Sequence, residues 1–460
     1  MMVLRGLTAR FDFGARIPTW LLVAVATAIG AIANLLWIGR QSFWIDEGFE
    51  ARLVTLSWPE FYHALTTYAG DNMAGYHVLL WLWPFHADEQ GLRSLSALCM
   101  VASIPLVFWI GKELGGRTAG WWASSIFALW PFIVEYGQEA RSYGLLVLIT
   151  VAATAALLKA TRPSGRRWWA AYGVLLGLGL YAQAFALLML LPHAVWVVMR
   201  RPPRRYVAMA AALAVLVASP MLVSLFLIHF GAGNSSLAWI PPLTLGFLWT
   251  DVVQPMTWYS RSLLAALMLA VLGLGAIAIF RHRDELPRLV LLVSWATLPL
   301  LVAMGYSLLI HPVLQARYVI YIIPAWTVLL GVAIAKIPAR VASVAVGFVV
   351  LAICAQSLRG YYSGYLKSDI RDAAALIASQ TQPGDVVIEE SGMEPALDYY
   401  WRNSQHPTAG LSGSRLWVIG WSNPVPPESI AADWRLASRT DFYQVTVELY
   451  LPATAGTAGR

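Results

Sequence analysis

The sequence predicts an α-helical polytopic membrane protein of about eleven spans, with short interfacial helices in its first external loop and a small external α/β module at its C-terminal end. Three observations carry this. Of 460 residues, 58% are hydrophobic and only 12% are charged, about half the charge of a soluble domain. Apolar runs recur from Leu21 to Leu358, and most approach the roughly 20 residues a helix needs to cross a bilayer. Beyond Arg359 the composition becomes that of a soluble segment, so the chain divides into a membrane domain, 1–358, and an extracytoplasmic domain, 359–460.

The runs place spans at about 18–38, 92–111, 119–134, 143–158, 168–181, 184–199, 207–228, 262–280, 289–310, 318–335 and 341–358. The first follows Arg5, Arg10 and Arg16 like a signal peptide, but no small-residue cleavage site follows it, so it reads as a retained helix. Only Tyr181, Ala182 and Gln183 divide the fifth span from the sixth. Cys99 and Cys354 both lie inside apolar runs and imply no disulfide framework.

A net charge of +7 could signal nucleic acid, but the basic residues lie between the runs, where they set orientation, and no nucleic-acid partner is expected. Outside the C-terminal tail, eighteen Lys and Arg fall on the side of the N-terminus, against Arg40, Arg52, Arg93, Arg141, Arg261 and Arg317 on the other. The N-terminus is therefore expected in the cytoplasm and the tail outside a cell membrane. Acidic residues show the reverse bias: Asp46, Glu47, Glu50, Glu60, Asp71, Asp88, Glu89, Glu135, Glu139 and Asp251 are all external. Orientation does not require this, so chemistry is expected on the outer face.

In the first external loop, Trp58 to Tyr62 and the short apolar run Gly75 to Phe85 read as helices in the interface, with Trp81 and Trp83 at headgroup level. In the second, Trp239-Ile240-Pro241-Pro242 cannot be regular helix. In the tail, Asp369 to Gln380 has helical spacing, 382–385 is a turn, and Val386 to Ile388, Leu416 to Ile419 and Tyr443 to Leu451 read as strands.

Three clusters could carry chemistry. Trp44-Ile45-Asp46-Glu47 puts adjacent carboxylates at the membrane boundary, where they need a cation, a donor or a water-filled cleft; a helix cap facing water would also account for them. Glu135 to Tyr143 is squeezed between two spans, and Glu139 and Arg141, two apart, are poorly placed to pair with each other. An interfacial turn with snorkelling charges is the alternative. Gln315-Ala316-Arg317-Tyr318, with Tyr321 beyond, suits bidentate capture of a phosphate, as would an ordinary lipid headgroup. Arg93 adds a fourth cation before the second span. Together they suit group transfer from a lipid-phosphate donor: arginines stabilise the leaving phosphate while a carboxylate takes the proton of an attacking hydroxyl.

An Asp-Glu pair opening the first loop, Tyr-Gly-Gln-Glu-Ala-Arg-Ser-Tyr after the third span, and Arg-Tyr entering a late span resemble bacterial glycosyltransferases of the GT-C fold. The resemblance is to their family 39, or ArnT-like, branch, related to protein O-mannosyltransferases, and covers most of the first 335 residues. It implies transfer of a mannose- or arabinose-like sugar from a polyprenyl-phosphate donor to a lipid, glycan or protein acceptor. Asp46 would be the general base and Glu47 its support. Arg93, Arg141 and Arg317 would bind the donor phosphate, and Asp71, Glu139, Tyr143 and Tyr318 the sugar or acceptor. Relatives often follow the residue matching Asp71 with a Pro-Pro-Leu-Tyr-Tyr-like stretch; here it reads Asn72-Met73-Ala74-Gly75-Tyr76-His77.

His63, His77 and His86 share a loop with Asp46, Glu47 and Asp71, so a divalent metal is open, although no tight ligand spacing occurs. Trp239 is a candidate sugar-stacking platform. The competing function is a transporter or lipid flippase, but the charges cluster at helix ends rather than at mid-membrane.

Overall fold

The computed structural model describes residues 17–69, 72–226, 239–258, 260–280, 285–390, 392–401, 415–422 and 434–453. Every predicted span falls on helix: Thr19–Leu35, Glu89–Gly115, Arg117–Ala128, Tyr143–Ala160, Trp168–Ala182, Leu190–Arg200, Arg204–Leu225, Arg261–Phe280, Leu286–Leu309, Ile323–Ala335 and Arg340–Ser363. Among the described residues six helical segments are long and apolar enough to cross a membrane and four are shorter. The chain is a multi-pass membrane protein with the predicted helical class.

Three boundaries have local causes. The third predicted span breaks at Trp130, and Pro131 opens a separate helix, Pro131–Gly137, because proline suits a first turn but not a helix interior. Between the fifth and sixth spans Gln183 is extended and a 3₁₀ turn, Ala184–Met189, starts the next run. The tenth span begins as a 3₁₀ stretch, Ala316–Ile322, which carries Arg317 and Tyr318.

The long helix Glu89–Gly115 packs against Thr19–Leu35, Arg117–Ala128 and Tyr143–Ala160, and Ile323–Ala335 lies on Arg117–Ala128. Small residues allow this. A Cβ on Gly120 would meet the Phe108 carbonyl at 2.6 Å, and one on Gly331 the Ala119 carbonyl at 2.5 Å, so these helices touch at their backbones, as packing in lipid favours.

The first loop folds as helices Ile45–Leu53, Trp58–Thr67 and Ala74–Trp81. Its tryptophans are engaged by the protein itself: Trp81 stacks on Phe61 at 5.4 Å, and the Trp83 indole donates to Ser94 Oγ at 3.0 Å. In the second loop the described residues 239–242 are not helical, and a short helical stretch follows at 245–256.

The tail holds the helix Ile370–Gln380, capped by Asp369, the helix Glu394–Tyr400, and strands β1 Val386–Glu389, β2 Leu416–Trp421, β3 Trp434–Phe442 and β4 Val445–Pro452. They form one sheet in the order β1-β2-β4-β3, parallel only between β1 and β2, with Val386 opposite Leu416. Ile370, Ile377, Leu397, Trp417, Ile419 and Val447 make its core. β3 was not expected from sequence. It is an exposed edge strand, and Arg435, Arg439 and Asp441 interrupt any apolar alternation.

This module is fastened to the segment that leaves the first span. Arg371 donates to the carbonyls of Gly39 at 3.0 Å and Gln41 at 2.9 Å and pairs with Glu89. The Gln41 side-chain oxygen accepts from the backbone N–H groups of Leu366 at 3.1 Å and Lys367 at 3.0 Å. A Cβ on Gly48 would lie 2.4 Å from Ala396 N, so Ile45–Leu53 and Glu394–Tyr400 meet with no side chain between them.

Candidate active site

Ile45–Leu53 begins just after extended Trp44, with Asp46 and Glu47 in its first turn, where the helix dipole favours acids. Neighbours on a helix point about 100° apart, and the two carboxylates meet different surroundings. Glu47 is fully buried, whereas the Asp46 side chain is 30% exposed.

Glu47 is bound on every side. Arg93 reaches it with Nε at 2.7 Å and Nη2 at 2.8 Å, Lys367 Nζ lies at 2.8 Å, and the Ala140 N–H donates at 3.0 Å. Burial would raise its pKa, but Arg93 and Lys367 outweigh that and hold it at about 2. A carboxylate so tightly held as an anion makes a poor proton acceptor.

Asp46 is the looser acid. Among the described residues its one ion-pair contact is Arg141 Nη2 at 3.6 Å, while Arg141 Nη1 is fixed by buried Glu50 at 2.9 Å. Glu50 is held in turn by His77 Nδ1 at 2.8 Å. Glu50 follows Asp46 by one helical turn, so one face of a single helix presents both acids to Arg141.

Arg317 joins from the 3₁₀ stretch. Its guanidinium lies over Trp44 at 5.2 Å, Trp239 at 5.4 Å and Tyr318 at 5.6 Å, and it is electrostatically coupled to Asp46 and Tyr143. Tyr318 also packs on Phe185 at 5.3 Å. Tyr143 is buried against Tyr136 at 5.0 Å. Glu139 meets Lys367 at 3.4 Å; burial raises its pKa, and Lys367 offsets only part of the rise.

Several polar atoms here are buried without hydrogen-bond partners among the described residues: Trp44 Nε1, Glu139 Oε2, Arg141 Nε, Ser142 Oγ and Arg317 Nε. Buried polar groups are nearly always paired. Such a gathering of donors with one acceptor is suited to an anionic, hydroxyl-bearing ligand.

The structure thus brings together Asp46, Glu47, Glu139, Arg141, Tyr143, Arg317 and Tyr318, from sequence positions more than 270 residues apart. Asp71 lies outside the described residues. Arg93, expected at the donor phosphate, turns its guanidinium into the protein: besides Glu47 it donates to the carbonyls of Ile38 at 2.9 Å, Gln41 at 2.8 Å and Ser42 at 3.1 Å. All five of its N–H groups are used within the protein, which makes it the anchor of Glu47. Sequence reasoning missed Glu50 and Lys367. The spacing of Glu50 from Asp46 was a usable signal; for Lys367, 320 residues from Glu47, there was none. Among the described residues no group of three or more His, Cys, Asp or Glu side chains is arranged to hold a metal, and His77 is engaged with Glu50. Trp239 faces Arg317 and is 54% exposed.

A family model described as dolichyl-phosphate-mannose-protein mannosyltransferase matches residues 73–228. No curated protein matches the chain. Among solved structures, ArnT from Cupriavidus metallidurans in the apo state is similar with a TM-score of 0.60 at 13% identity, covering 93% of this chain and 97% of that one. The same protein bound to undecaprenyl phosphate gives 0.55 at 14% identity over 96% and 98% of the two chains. The archaeal oligosaccharyltransferase AglB from Archaeoglobus fulgidus, in complex with an inhibitory peptide and a dolichol-phosphate, gives 0.55 at 13% identity, covering 89% of this chain and 61% of that one. At these identities the shared property is the fold.

Proposed function

We propose that this chain, a membrane glycosyltransferase with the ArnT-like GT-C fold, moves a mannose- or arabinose-like sugar from a polyprenyl-phosphate donor to an acceptor hydroxyl on the outer face of the cell membrane. The N-terminus is then cytoplasmic and the C-terminal module, 359–460, extracytoplasmic, in keeping with the distribution of Lys and Arg. The observation that carries the reading is the pair of Nε–H groups of Arg141 and Arg317, without partners among the described residues, near the partly exposed Asp46. The lipid phosphates bound by ArnT and AglB are anions of the kind such groups would receive.

In this reading the acceptor hydroxyl attacks the anomeric carbon and gives its proton to Asp46. The bond from that carbon to the phosphate oxygen breaks, its electron pair stays on the phosphate, and Arg141 and Arg317 stabilise the charge that develops. Glu139, with one oxygen unpartnered, and Tyr143 and Tyr318 beside the arginines, would orient the sugar or the acceptor; Asp71 is proposed for the same task from its sequence context. Glu47 fixes the backbone that presents Asp46.

The test is turnover of synthetic polyprenyl-phosphate mannose and polyprenyl-phosphate arabinose by the purified protein in nanodiscs, read as polyprenyl phosphate released. Asp46-dependent release supports the reading. Movement of the lipid across reconstituted vesicles without sugar release would replace it by a flippase.

A further inference from the structure

The described segment between the last span and the C-terminal module places one charge inside the site. Lys367 Nζ stands between Glu47, at 2.8 Å, and Glu139, at 3.4 Å, with its side chain 10% exposed. Its position is imposed from outside: Gln41 holds the backbone N–H groups of Leu366 and Lys367, and Arg371 binds the carbonyls on either side of Arg40. The contacts that hold Lys367 in this place are the ones that dock the module on segment 39–48.

We propose that Lys367 is a positioning residue for sugar transfer, keeping Glu139 ionised within a buried acidic cluster and so making the reaction depend on docking of the C-terminal module. The proposal rests on the transferase reading above. The charge balance supports it. Glu139 is faced by Asp46 and Glu47 from the helix Ile45–Leu53, by Glu135 and Tyr136 from Pro131–Gly137, by Tyr361 from the last span, and by the cations Arg317 and Lys367. Arg93 is committed to Glu47, and Arg317 is shared with the aromatic faces. Burial and the neighbouring Glu139 push Glu135 up to about 8, so it already carries a proton at neutral pH; without Lys367, buried Glu139 would face Asp46 and Glu47 with too little positive charge and would take up a proton as well. Glu139 already has one oxygen unpartnered and is the group placed to do so.

The experiment compares wild type, Lys367→Met, Lys367→Arg, Gln41→Ala and the double variant Lys367→Met with Glu139→Gln. The readouts are kcat, donor KM, the pH profile of kcat, and infrared spectroscopy of the carboxyl carbonyl band. An opposite charge at this range moves a carboxyl by about 1–3 pH units. Lys367→Met should therefore move the acidic limb upward by that amount, lower kcat at neutral pH by about tenfold or more, and leave donor KM little changed. It should also show a protonated-carboxyl band additional to that of wild type, which the double variant lacks. Lys367→Arg should restore the profile, and Gln41→Ala, which frees the backbone without touching the lysine, should shift it in the same direction.

A Lys367→Met enzyme with the wild-type profile overturns the proposal, as does one that loses activity with an unmoved limb and no new band. If Lys367→Met does not fold, an unmoved limb in Gln41→Ala has the same force. If wild type transfers no sugar, the transferase reading fails alone, and the infrared band still decides the charge state of Glu139.

Discussion

Arg93 and Glu47 form a two-pronged buried ion pair, Nε to Oε1 at 2.7 Å and Nη2 to Oε2 at 2.8 Å, and the other N–H groups of Arg93 close on the carbonyls of the chain leaving the first span. The pair ties the second span to the segment that presents Asp46. It also gives two neighbouring carboxylates different surroundings, Glu47 anchored and buried and Asp46 partly exposed.

Asp46→Asn should lower kcat by about 10²–10⁴-fold, the usual contribution of a general base. Asp46 is partly exposed and makes one loose contact, so yield and melting temperature in detergent should stay at wild type. Transfer at the wild-type rate in this variant would remove the base assignment.

Glu47→Gln should destabilise the protein, since removing one partner of a buried pair costs about 3–5 kcal/mol. The pH dependence follows from the sign of the shift. The folded pKa, about 2, lies below the ordinary 4.5, so the stabilisation is present above 4.5 and is lost as pH falls toward 2. Melting temperature against pH should show this acid loss in wild type and a weaker one in Glu47→Gln. Identical acid limbs would mean that Glu47 is not held as drawn.

Arg317→Lys should raise donor KM or lower kcat by about 10- to 100-fold, because a charge-assisted fork is replaced by a point charge that stacks poorly on Trp44 and Trp239. Arg317→Ala should be worse. Donor titrations of both variants check this, and equal losses would argue against two-pronged phosphate binding.

Gly48→Val should push Glu394–Tyr400 off Ile45–Leu53, where a Cβ would already lie 2.4 Å from Ala396 N. Overpacking of this kind costs about 1–3 kcal/mol. Faster proteolytic cleavage within 364–369, together with loss of transfer, is the expected result. Unchanged protection would show that the two helices are not in tight contact.

Arg93→Lys separates anchor from phosphate ligand. It should reduce thermal stability while leaving donor KM near wild type in the protein that folds; a selective rise in donor KM would restore Arg93 to the phosphate site.

Much of the architecture could be read from the chain because lipid imposes a simple rule: each spanning segment satisfies its own backbone and must be long and apolar. Among the described residues that rule located the long apolar helices, and the breaks at Pro131 and Gln183 follow from proline geometry and a local turn. In the tail it gave no help, and β3, an exposed edge with Arg435, Arg439 and Asp441, carried no periodic signal.

For the site, residue type was enough to single out Asp46, Glu47, Glu139, Arg141 and Arg317, since charges at membrane depth are costly and need partners. Which charge meets which was decided by the tertiary structure alone. Arg93, expected at the donor phosphate, uses every N–H it has on Glu47 and three carbonyls. Lys367 carries no local sequence signal, and only the docked module places it between two carboxylates. Local sequence fixes burial and length, whereas the pairing of charges depends on contacts across hundreds of residues, where no spacing rule operates.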